Sequence, residues 1–97
     1  MKFLVYRAEA GLDVAEAHDW YEQQRKGLGA DFLLEINAAE NAIQSMPFAY
    51  RVYRRDTRRF LVHRFPYQLL YRVLDDAIVI VACFHLRRSP RRLQSRE

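Results

Sequence analysis

The run AIVIVACF, residues 77–84, constrains the fold more than any other stretch of this chain. Eight consecutive residues without a polar side chain fit a strand covered on both faces, because a strand with one wet face alternates apolar with polar. Any fold must therefore place material above and below it. Just upstream, Tyr67, Leu69, Tyr71 and Val73 alternate with Gln68, Leu70, Arg72 and Leu74. With Asp75-Asp76 as a two-residue turn, these two segments predict an antiparallel hairpin. RRFLVHRF (58–65) reads as a further strand and RVYRR (51–55) as a short one. MKFLVY at residues 1–6 has strand composition, which AEAGLD then breaks.

The region between reads as helix. Asp13 followed by Glu16 has the spacing of a capping box and predicts a helix start, with Val14, Ala17, Tyr21 and, past the turn, Leu28 on one apolar side. KGLG (26–29) supplies glycines for a tight reversal. Phe32, Ile36, Ala39, Ile43 and Met46 then form one apolar stripe, which Pro47 ends. So short a connection predicts an antiparallel helical hairpin. The expected class is α+β: an N-terminal strand, then an antiparallel two-helix hairpin packed on a twisted, mainly antiparallel sheet of three to four C-terminal strands.

At 97 residues, 51% of them hydrophobic, the chain supports one modest core and a single domain over 1–97, with 87–97 a basic tail. SPRRLQ in that tail predicts either a turn of helix starting at Ser89 or a fraying end. No N-terminal signal pattern and no apolar run near the roughly 20 residues needed to span a bilayer are present, so a soluble, cytoplasmic protein without a membrane partner is expected. The one cysteine, Cys83, sits inside the apolar run and reads as a small buried hydrophobe. Disulfides, metal ions and cofactors are not expected.

Charge divides the chain. Residues 1–50 hold four basic and eight acidic side chains, whereas residues 51–97 hold twelve arginines and four acids. Arginine grips phosphate or carboxylate with two parallel hydrogen bonds, so the second half suits an anionic partner, either nucleic acid or an acidic protein segment. Arg51, Arg54, Arg55, Arg58, Arg59 and Arg64 lie among Tyr50, Tyr53, Tyr67 and Tyr71, a mixture able to hold phosphates while rings stack on bases. A solvated sheet face whose arginines block edge-to-edge pairing is the equal alternative. His63 and His85, near strand ends, are candidate general bases, as are Glu40 and Asp56, because arginine stays protonated at every useful pH. Asp13, Glu16, His18, Asp19 and Glu22 read as the solvated face of the first helix.

The segments WYEQQRKGLGADFLLEINAAENAIQSMP and VHRFPYQLLYRVLDDAIVIVACFHLRRSP, in the order strand, helical hairpin, sheet, resemble the RelE/ParE superfamily of toxins from bacterial type II toxin-antitoxin modules. RFPYQLLYRV, DDAIVIVACFH and YEQQRKGLGADF carry most of the likeness, which covers nearly the whole chain. The resemblance implies a toxin neutralised by a cognate antitoxin, in a homodimer or higher toxin-antitoxin assembly. It suggests Trp20, Arg51, Arg54, Arg55, Arg58 and Arg59 as antitoxin contacts, with Phe48 a second apolar anchor. For Trp20 the other reading is core packing.

Two activities occur among similar proteins. RelE-like members resemble ribosome-dependent mRNA endoribonucleases that use a strand arginine, an arginine after the last strand and an aromatic residue near the C-terminus. Here the first position is Gln68, the second is Arg87 or Arg88, and the terminal RRLQSRE offers Leu93 and no aromatic. On that reading Arg59, Arg64, His85 and Arg87 would carry the chemistry. ParE-like members match RFPY and FHLRRSP better, and the resemblance then implies a non-enzymatic inhibitor of DNA gyrase, with Arg87, Arg88, Arg91 and Arg92 as the target-binding surface.

Overall fold

The computed structural model describes residues 2–88 and 91–96. Along the chain run β1 (Phe3–Tyr6), α1 (Ala8–Gln24), α2 (Leu28–Ser45), β2 (Val52–Arg54), β3 (Thr57–Leu61), β4 (Tyr67–Val73), β5 (Ala77–His85) and the short α3 (Arg91–Gln94). They form one five-stranded sheet in the order β1-β5-β4-β3-β2. The apolar run is the interior strand β5, between β4 and β1. β1 lies parallel to it, Phe3 opposite Ala77 and Tyr6 opposite Ile80, and every other pairing is antiparallel.

Both faces of β5 are covered, as its composition requires. On one face, Phe32, Ile36, Ala39 and Ile43 of α2 and Ala10 and Ala17 of α1 pack against Leu69, Tyr71, Ile78, Ile80 and Cys83. On the other, Leu70, Val81, Ala82 and Phe84 meet Leu93 of α3 and, at the side, Tyr53. The register between β4 and β5 shifts after Leu70, where Ala82 and Ile80 face successive β4 residues and Val81 is the extra one. This bulge lets Val81 join the outer cluster while Ile80 and Cys83 stay under the helices.

The reversal between the helices depends on two glycines. Gly27 adopts φ 89°, a left-handed conformation that suits glycine, and caps α2. Glu22 of α1 accepts hydrogen bonds from the N–H groups of Gly27 and Gly29, both at 3.0 Å, so a carboxylate serves the exposed donors at the start of α2. These two bonds hold the Glu22 carboxyl below its ordinary range.

Three expectations need correction. AEAGLD does end the strand, at Tyr6, but the helix expected to open at Asp13 already begins within that stretch, at Ala8. Asp13 is therefore no helix cap, nor part of a solvated face, since its relative exposure is 9%. Gly11 lies within the helix, with open space where a Cβ would stand. Met46 does not complete the buried stripe and is 63% exposed, because α2 ends at Ser45. β3 stops at Leu61, and the chain turns back through Arg64, at φ 77°, and a Tyr67 N–H bond to the Phe65 carbonyl.

Candidate functional site

Beyond Ile80, β5 outruns its neighbour. The Arg7 N–H donates to the Ile80 carbonyl at 3.0 Å, and β1 contributes nothing further. Backbone groups of the next residues on that edge need other partners, since a buried unpaired amide costs about 1–3 kcal/mol. Asp13, reaching from α1, accepts the Cys83 N–H at 3.0 Å. Arg96, from beyond α3, donates to both Asp13 oxygens at 2.5 and 3.1 Å and to the Val81 carbonyl at 3.3 Å. Arg88 stands 3.8 Å from the same carboxylate. Both guanidinium groups lie 4.8 Å from the Phe84 ring centre, one contact from each side of the tail. Asp13 can thus be buried because two cations and an amide replace the water it loses. Its bond also raises the pKa of Arg96, while burial pushes the neighbouring Cys83 thiol up to about 12, well away from a reactive thiolate.

Two grooves flank this junction. Glu9, Leu12, Asp13 and Glu16 of α1 face Arg88, Arg92 and Arg96 across a space of about 230 Å³. Trp20, Tyr21, Pro66, Tyr67 and His85 line a more apolar one of about 380 Å³. There the His85 ring stands edge-on to Tyr67 at 5.3 Å, and its Nδ1 accepts the Arg87 N–H at 3.1 Å. Trp20 is 55% exposed and touches Tyr21 edge-on, so the core-packing reading does not hold for it.

The tail arginines divide by environment. Arg87, Arg91 and Arg92 are exposed, whereas Arg88 is half-buried against Asp13 and Phe84. Leu93, with no exposed surface, fixes α3 to the sheet, so residues 91–96 are docked. Ser89, where the sequence suggested a helix start, lies outside the described residues.

The middle arginines divide by sheet face. Arg58 shares the helix side with its cross-strand partner Tyr71 and donates to the carbonyls of Phe48 at 3.2 Å and Tyr50 at 2.7 Å. Arg59 points to the opposite side with Leu70 and lies 5.8 Å from the Tyr53 ring centre. Arg51 and Arg59, with Tyr50, Phe60 and Leu61, line a groove of about 360 Å³. Arg55 is exposed in the β2–β3 turn with φ 52°, and Arg54 is half-buried at the end of β2. Arg64 pairs with Asp31 of α2 at 3.4 Å, and Arg72 with Asp56 at 2.8 Å, which lowers the Asp56 carboxyl.

The four residues of the ribonuclease reading occupy different surroundings. Arg59 is on the outer face, His85 shares the helix side with Tyr67, Arg64 is turned to α2, and Arg87 meets His85 through its backbone N–H. Gln68 is buried on the outer face opposite Phe84. Of the other candidate bases, Glu40 accepts the Tyr6 hydroxyl at 2.5 Å, and His63 is exposed, 4.0 Å from Glu35. Among the described residues no group of three His, Cys, Asp or Glu side chains is placed to hold a metal ion, and no helix is long and apolar enough to cross a membrane.

Sequence reasoning passed over Arg96 and misplaced Asp13. A signal was present in the spacing: Arg88, Arg92 and Arg96 recur every four residues, and Glu9, Asp13 and Glu16 lie four and three apart on one helix face.

Comparison with known proteins agrees with this architecture. Residues 4–90 match the family model described as the ParE toxin of the type II toxin-antitoxin system parDE. No curated protein sequence matches the chain. A solved structure, the chromosomal ParDE toxin-antitoxin system from P. aeruginosa, superposes with a TM-score of 0.77 at 17% identity, covering 88% of this chain and 96% of that one. With the model spanning almost every element described above, the chain belongs to the ParE toxin family of type II toxin-antitoxin systems.

Proposed function

We propose that this chain is a growth-inhibiting toxin that acts by binding DNA gyrase, and that a cognate antitoxin holds it inactive until released. The observation that carries the non-enzymatic reading is the separation of Arg59, Arg64, His85 and Arg87. Phosphodiester cleavage needs a base and cations converging on one phosphate, whereas Arg59 and His85 lie on opposite faces of the sheet and Arg64 is engaged by Asp31. Gln68 and Leu93, both buried, occupy the positions where the ribonuclease branch carries an arginine and an aromatic ring. The exposed arginines of the tail, Arg87, Arg91 and Arg92 with Arg88 behind them, make the target-facing surface. The groove of Arg51 and Arg59, with Arg54, Arg55, Arg58 and exposed Trp20, meets the antitoxin.

The test is induced expression in growing bacteria without antitoxin, following plasmid topology, chromosome integrity and RNA cleavage over the first minutes. Relaxed plasmid and broken chromosome without new cuts in messenger RNA are expected. Codon-phased cuts in RNA ahead of any change in topology would overturn the proposal in favour of a ribosome-dependent endoribonuclease.

A further inference from the structure

The tail placed above at the target surface is also engaged within its own chain. Arg88, Arg92 and Arg96 line one wall of the 230 Å³ groove, and Glu9, Asp13 and Glu16 of α1 line the other. Asp13 is buried and is bonded to the Cys83 amide as well as to Arg96, so it belongs to the fold. Glu9 and Glu16 differ from it. Both are exposed, and they reach Arg96 through charge across the groove, where each adds to the rise in its pKa.

We propose that α1 is an internal competitor for the basic tail: Glu9 and Glu16 occupy electrostatically the arginines that an anionic partner segment would take, and such a partner must displace them. The inference rests on the tail being a partner-binding surface, whatever the partner's identity. Three features support it. The acidic half and the basic half of the sequence meet at this seam, which is self-complementary in charge. Leu93 anchors the tail to the sheet and Arg96 is held by Asp13 and the Val81 carbonyl, so exposed Arg92 is the part of the charged wall placed to exchange partners. The groove is open to solvent between the two walls, which leaves room for another carboxylate to approach Arg92 while the Asp13–Arg96 bond persists.

The test uses the intact chain and spares Asp13, whose replacement threatens folding. Glu9→Gln/Glu16→Gln removes the two competing charges. Asp75→Asn/Asp76→Asn, in the exposed β4–β5 turn, makes the same change in net charge far from the tail. Two quantities are compared among the parent and both variants: affinity for poly-L-glutamate at low salt, and the rate of tryptic cleavage after Arg91 and Arg92. Two exposed charge–charge interactions of ordinary surface strength correspond to roughly a threefold increase in each, in the Glu9/Glu16 variant alone. Equal behaviour of the two variants would mean that net charge alone governs binding, and would overturn the proposal. So would unchanged cleavage rates. Neither readout involves gyrase, so failure of the target assignment and failure of this inference are separable.

Discussion

Asp13 is the residue on which most of the local structure converges. It joins α1, the exposed edge of β5 and the tail through one carboxylate, and each partner would be costly to leave alone. Replacing it with alanine strands the Cys83 N–H and leaves the Arg96 guanidinium, largely shielded from solvent, without its counter-charge. A loss of about 2–4 kcal/mol is expected from urea unfolding of Asp13→Ala. Asp13→Asn keeps an acceptor for Cys83 and is expected to lose about half as much. Equal losses in the two variants would show that the amide bond contributes nothing and that charge alone matters. Sequence patterning placed this residue on a wet face because aspartate on an amphipathic helix usually is solvated. The contact that reverses that rule comes from Arg96, 83 residues away, and no local period contains it.

At the scale of elements, the strands and helices that follow a period were legible. β4, β5 and the stripe of α2 were placed nearly to the residue, since burial on one or both faces leaves a direct mark on composition. Boundaries set by single contacts were not: α1 starts where the Arg7 N–H meets the Ile80 carbonyl, and β3 ends early at the turn through Arg64. The candidate site was legible in kind, as a basic tail and a basic-aromatic middle segment. It was not legible in geometry, because adjacent arginines such as Arg58 and Arg59 face opposite sides of the sheet. The helical reversal gives an element-scale prediction. Glu22 accepts two amide bonds when ionised, so its folded pKa lies below its unfolded one. Its contribution to stability is therefore present above the unfolded value, near 4.5, and is lost as pH falls through the lower folded value. Stability measured from pH 7 downward should fall less steeply in Glu22→Gln than in the parent, with the variant already lower at pH 7. Parallel curves would contradict the capping role.

For the whole molecule, the sheet order carries a consequence for how the protein is made. The first strand synthesised, β1, pairs only with the last, β5, so Phe3 waits for Ala77 and the apolar face of the helices waits with it. Such pairing between distant parts of a sequence is slow to form and cannot begin before both parts exist. Closure of the β5 edge needs Arg96 as well, later still. A ribosome-bound chain halted with residues 1–76 outside the exit tunnel should therefore be digested rapidly by protease, and one with residues 1–96 outside should resist. Protection of the shorter chain would show that α1, α2 and the β3–β4 pair hold together alone. Until Arg96 emerges, then, the nascent polypeptide lacks the closed β5 edge and the docked tail, and vectorial synthesis itself delays the moment at which that surface is complete.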